Sequence, residues 1–141
     1  MRLFLDSSGL AKRYVSEPGS ASVVALCRDA EKIVLSPISK LEVLSALNRL
    51  RREGLLADDT YPQLKDDVEA DIDEAVLVEL SPRVMRSAIR CMETVLIRTL
   101  DAIHVASAME AGCSAFLSAD RRQCRAAATM GVPVIDLSSL R

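Results

Sequence analysis

The chain contains a single histidine, His104, and four cysteines that stand far apart: Cys27, Cys91, Cys113 and Cys124. With no C-x-x-C pair and no second histidine, a zinc set cannot be assembled, and the thiols read as core or surface residues rather than a disulfide framework. Tryptophan is absent, and two tyrosines and two phenylalanines complete the aromatics, so platforms for stacking bases are scarce. No apolar stretch approaches the roughly 18 to 20 residues of a membrane span. Met1-Arg2 leads straight into LFLD without the apolar core of a secretory signal, so a cytoplasmic protein with no membrane partner is expected.

What is present describes a globular domain. A chain of 141 residues with 50% hydrophobic and 27% charged residues can bury a core of its own, and one domain over residues 1–141 is expected. The net charge is only −2, but it is unevenly spread. Between residues 53 and 79 ten acids face one base, Lys65, which leaves a remainder carrying about seven positive charges. Its basic residues include Arg98, Arg121, Arg122 and Arg125. They read either as solvated helix faces or as a surface that follows phosphates.

Short apolar runs alternate with helical patterns. Leu3–Leu5, Ile33–Leu35, Ala75–Val78, Ala115–Leu117 and Val132–Ile135 read as buried strands. Helical patterns cover residues 20–30, 39–53, 58–73, 82–93, 100–111 and 121–130, with Ser81-Pro82, Gly112 and Gly131 as punctuation. Strands separated by helices predict an α/β fold, a central mostly parallel β-sheet flanked by helices on both faces.

Four acids fall at the ends of these elements. Asp6 closes the first strand, Glu42 lies in the first turn of the helix opening at SPISKLE, Asp101 in that of TLDAIH, and Asp120 just past the strand ending FLSAD. Each has an ordinary explanation as a helix cap: Asp6 before Ser7-Ser8, Ser39-x-x-Glu42 as a capping box, Thr99 with Asp101, and Asp120-x-x-Gln123. In a parallel sheet, however, ligands bind in the crevice outside the carboxyl ends of the strands, where Asp6 and Asp120 both stand. If Glu42 and Asp101 reach that edge too, a cation must offset their mutual repulsion. Oxygen donors alone suit Mg²⁺ or Mn²⁺ rather than zinc.

The stretches MRLFLDSSGLAKRY, SPISKLEVLSAL, RTLDAIHVASAM and FLSADRRQCRAAATMGVPVIDL resemble, in order and spacing, the motifs of PIN-domain ribonucleases, and among them the VapC-type toxins of toxin–antitoxin pairs. The resemblance covers essentially the whole chain and implies a metal-dependent endoribonuclease using Mg²⁺ or Mn²⁺. Asp6, Glu42, Asp101 and Asp120 fall on the family's acidic positions, and Ser7 and Ser118 on its small hydroxyl positions. Asp6 and Asp101 are expected to coordinate metal directly and Glu42 directly or through water. Asp120 is assigned a second metal position or the attacking water, with Ser7 and Ser118 supporting ligands or metal-bound water. His104, one turn from Asp101, is read as a hydrogen-bonded core or rim residue outside catalysis.

The resemblance further implies a tRNA or rRNA substrate, products with 3′-hydroxyl and 5′-phosphate ends, a homodimer, and a VapB-like antitoxin whose tail lies near the acids. Apolar faces of residues 39–53 and 58–73 are candidates for that groove. One departure stands out. The family often carries a bulky apolar or aromatic residue three positions after its fourth acid, where this chain has Gln123. An RNA-processing nuclease outside toxin–antitoxin pairs and an inert PIN-fold binding module are the alternatives. A phosphate-receiver domain ranks last, because VPVIDL is not followed by the lysine such a site needs.

Overall fold

In the first strand, β1 (Arg2–Leu5), side chains alternate between two faces, so Leu3 and Leu5 enter one core and Phe4 the other. All three are fully buried. The computed structural model describes residues 1–139. It pairs β1 with β2 (Lys32–Leu35) on one side and β4 (Ala115–Ser118) on the other, while β3 (Val76–Leu77) and β5 (Val134–Asp136) form the edges. The order is β3-β2-β1-β4-β5, and every pairing is parallel. The expected sheet is therefore present.

Seven helices cover the two faces. α1 (Ser7–Ala11), α2 (Ser20–Asp29), α3 (Ser39–Arg52) and α4 (Tyr61–Glu74) pack through Leu10, Val23, Val43, Leu47, Val68 and Ile72 against Leu3, Leu5 and Leu117. α5 (Pro82–Thr94), α6 (Thr99–Glu110) and α7 (Arg121–Thr129) pack against Phe4, Val34 and Phe116, with the two phenylalanine rings stacked 5.2 Å apart. Parallel strands buried on both faces need this double cover. A turn of 3₁₀ helix, Leu137–Ser139, follows β5.

Most helix ends fall within a residue of the sequence expectation, and three further boundaries differ for physical reasons. α4 starts at Tyr61 rather than residue 58, because Pro62 has no N–H and belongs in a first turn where none is needed. β5 starts at Val134 rather than Val132, since Pro133 cannot donate to the ladder, although its carbonyl accepts from Phe116. β3 shrinks to two residues at the sheet edge.

The topology fixes where ligands can approach. From β1 the chain moves outward to β2 and β3, then returns to the other side of β1 for β4 and β5. That reversal leaves a crevice between the carboxyl ends of β1 and β4.

Candidate active site

Asp6 stands at the end of β1 and is fully buried. Its Oδ1 accepts from the Gly9 amide at 2.8 Å, capping α1, and from Ser8 Oγ at 2.8 Å. Its Oδ2 accepts from Ser118 Oγ at 2.6 Å, across the β1–β4 junction. Among the described residues no lysine, arginine or histidine forms an ion pair with it. Burial pushes the Asp6 carboxyl above its ordinary value, and the bonds from Ser118 and Gly9 only partly offset this.

Glu42 reaches the same edge from α3. Its Oε1 accepts from Ser7 Oγ at 2.7 Å and lies 2.5 Å from His104 Nε2, which must carry the proton because a carboxylate only accepts. The imidazole holds the Glu42 carboxyl below its ordinary value, against the opposing effect of burial. His104 is fully buried on α6, as a core residue, and its Nδ1 has no partner. Its ring and that of Phe4 stand edge to face, 6.1 Å apart.

Asp101 and Asp120 meet through one residue, Gln123, which holds the first by its side chain and the second by its backbone amide. Gln123 Nε2 donates to Asp101 Oδ1 at 3.2 Å, while Arg98 Nε pairs with Asp101 Oδ2 at 3.2 Å. Asp120 Oδ1 accepts from the Arg122 and Gln123 amides and caps α7, and the Asp120 amide donates to Ser118 Oγ at 2.9 Å. Ser118 therefore joins Asp6 to Asp120, and Gln123 joins Asp120 to Asp101. The amide of Gln123 has to turn its NH₂ toward Asp101, leaving Oε1 buried without a partner.

The capping explanation holds for two of the four acids and fails for two. Asp6 and Asp120 cap α1 and α7. α3 has no side-chain cap, and Ser39 Oγ lies beside Ser36 Oγ instead. α6 has no side-chain cap either, so Thr99 does not serve as one. Glu42 and Asp101 are instead engaged with side chains from other elements, Ser7 and His104 in one case and Gln123 in the other.

Sequence reasoning missed two participants, Ser8 and Gln123. Ser8, rather than Ser7, touches Asp6; Ser7 touches Glu42. Gln123 was visible in the Asp120-x-x-Gln123 capping pattern and as an exception to the family pattern, not as a partner of Asp101. Asp136 ends β5 in register with Ser118, and its Oδ1 accepts from the Ser138 amide at 2.9 Å.

Whether these residues suit a divalent cation is tested by their chemistry. The acids offer hard oxygen donors, and among the described residues the buried Asp6 carboxylate is in no ion pair, a countercharge that a bound cation would supply. Among the described residues no three of His, Cys, Asp or Glu are grouped closely enough to hold a metal. The acids are linked through Ser7, Ser118, Gln123 and the α1 turn rather than in mutual contact. In donor type and charge the site fits such an ion.

A family model described as PIN domain matches residues 3–129. The chain belongs to the PIN domain family. Similar solved structures include FitAcB from Neisseria gonorrhoeae, 18% identical, covering 98% of this chain and 99% of its own, with a TM-score of 0.72. A toxin–antitoxin complex from Klebsiella pneumoniae is 12% identical over 96% of this PIN domain and 97% of the other chain, with a TM-score of 0.69. VapC20 of Mycobacterium tuberculosis, titled a sarcin–ricin loop cleaving toxin, is 14% identical, covers 88% and 94%, and scores 0.68. At these identities the likeness is one of fold. No curated protein gives a significant sequence match. Among the described residues no helix is long and apolar enough to cross a membrane.

Proposed function

We propose that this PIN domain is a metal-dependent endoribonuclease, the toxin of a VapBC-type pair, which hydrolyses structured tRNA or rRNA and so inhibits translation. The observation that carries the reading is Asp6: a fully buried carboxylate at the crevice of a parallel sheet, in no ion pair among the described residues, linked through Ser118 to Asp120 and from there through Gln123 to Asp101. Asp6 and Asp101 would hold Mg²⁺ or Mn²⁺, with Glu42 and Asp120 beside them. The ion would supply Lewis-acid stabilisation of phosphate charge and a water of lowered pKa. The chain's own task is positioning. Ser8, Gly9 and Ser118 fix the Asp6 carboxylate, His104 and Ser7 fix Glu42, and Gln123 ties Asp101 to the start of α7.

The partner reading follows from the similar structures, one of which is a toxin–antitoxin complex. A VapB-like antitoxin and a homodimer in the cytoplasm belong to the same proposal. It is tested in cells by inducing the wild-type gene and its Asp6→Asn variant. Growth arrest with a discrete new tRNA or rRNA end, only for the wild type, is the expected result; arrest by both proteins, or by neither, would count against it.

Gln123 provides a finer test of the positioning role. Gln123→Leu keeps a buried side chain of similar length but releases Asp101 Oδ1, leaving Asp101 held by Arg98 alone, and residues that orient metal ligands typically change affinity by about 10- to 100-fold. Calorimetric titration with Mn²⁺ should show a loss in that range, while the thermal midpoint moves little. An unchanged isotherm would make Gln123 a packing residue.

A further inference from the structure

Beside Asp101 the surface opens into a groove of about 680 Å³ between the 95–98 segment, the start of α6, and α7. Its lining combines Leu96 and Ile97 with Arg98, Arg122 and Arg125. Arg98 is engaged with Asp101. Arg122 and Arg125 are exposed and, among the described residues, paired with no carboxylate. Three positions apart on α7, they lie on one helix face with their Cβ atoms about 5–6 Å apart. Two free guanidiniums at that spacing favour an anion with repeated charges.

The apolar wall adds a second requirement. Leu96 is entirely exposed, the most exposed large hydrophobic residue among those described. The aromatics are all committed elsewhere: Phe4 and Phe116 are fully buried, Tyr14 donates to Asp71, and Tyr61 accepts from Asn48 beneath Arg51. The face of an unpaired base entering this groove would therefore pack on Leu96 and Ile97, while its backbone met the arginines. A duplex, with its bases stacked inside, would use the charges but not the leucine.

We propose that this groove is the substrate subsite for unpaired RNA next to the scissile phosphate. Arg122 and Arg125 each hold a backbone phosphate, and Leu96 packs against a base or ribose. The inference rests on the nuclease reading above, because Asp101 belongs to both the groove and the acid group.

The test is binding rather than cleavage. Asp6→Asn protein is titrated in Mg²⁺ against a short fluorescein-labelled single-stranded RNA of mixed sequence, and against the same sequence as a duplex, over a range of salt concentrations. Adding Arg122→Ala and Arg125→Ala should weaken single-strand binding about tenfold or more and flatten its log–log salt dependence by about 1.4, at about 0.7 per phosphate contact. Leu96→Ser should weaken single-strand binding roughly threefold or more with the slope unchanged, and leave duplex binding alone. Arg28→Ala, on α2 in the opposite layer, should change nothing. Failure to bind the single strand, or an affinity and slope unaffected by loss of both arginines, would overturn the subsite and leave the groove to a protein partner. Arginine-dependent binding by a wild-type protein that cuts no RNA would keep the subsite and reject the nuclease reading, so the two failures are distinguishable.

Discussion

Replacing Asp6 by asparagine is expected to reduce RNA cleavage at least about 100-fold while making the protein more stable. The activity loss follows from removing the charge of the acid at the centre of the site, where metal and phosphate would be balanced. The stability gain follows from the cost of a buried carboxylate with hydroxyl and amide donors but, among the described residues, no ion-pair partner. Asparagine retains an oxygen for the Gly9 amide and can donate to Ser118, whose hydroxyl can turn to accept. A gain of roughly 1 kcal/mol would raise the melting temperature by about 3–5 °C in a chain of this size.

The pH dependence carries the same sign. Because the Asp6 carboxyl is raised in the folded state, the fold binds more protons there than the unfolded chain does. The resulting stability is fully present below the ordinary carboxylate pKa of 3.8 and is lost as pH rises through the folded value. Asp6→Asn removes this dependence, so its advantage over wild type should widen with pH across that window. Mn²⁺ should reverse the order at neutral pH by stabilising wild type preferentially, by about 2.7 kcal/mol at a hundred times the dissociation constant. A variant equally inactive but less stable at every pH would instead mark Asp6 as a structural cap.

The second large effect concerns Gly9. In a helix, glycine to alanine usually stabilises by about 1 kcal/mol. Here the sign should reverse. A Cβ on Gly9 would lie 2.8 Å from the Leu117 carbonyl oxygen and 3.4 Å from Asp6 Oδ1. The first of these is backbone that also accepts from the Asp6 amide at 3.2 Å, so α1 must move away from β4 to make room. Forcing extra volume into such a contact costs about 1–3 kcal/mol. Gly9→Ala should therefore lower the urea midpoint and disturb the Asp6 cradle, reducing cleavage as well. Alanine at Gly54, where nothing lies within 4 Å but φ is +75°, separates the effects: it should cost stability through backbone strain and spare activity.

Much of this architecture was legible because burial on both faces of a parallel sheet demands short continuous apolar runs, as in LFL and AFL, with helices between them. The four acids were legible for a related reason: carboxylates at the carboxyl ends of strands or in first turns are visible in one dimension. Contacts across the fold were not. Whether Ser7 or Ser8 faces Asp6 depends on about 100° of helical rotation, which residue type does not encode. The His104–Glu42 and Gln123–Asp101 contacts join residues 62 and 22 positions apart and exist only once α6 and α7 are packed. The capping box at Ser39 satisfied the pattern but not the geometry, because Ser39 is buried beside Ser36.

The most direct test of the central claim is to incubate purified wild-type protein with total tRNA and rRNA in Mn²⁺ or Mg²⁺, beside Asp6→Asn and an EDTA control, and to map the product ends. A discrete fragment with a 5′-phosphate, made only by wild type and only with metal, is the predicted result. No metal-dependent product from any RNA, or the same products from Asp6→Asn, would contradict it and return the four acids to capping and packing roles.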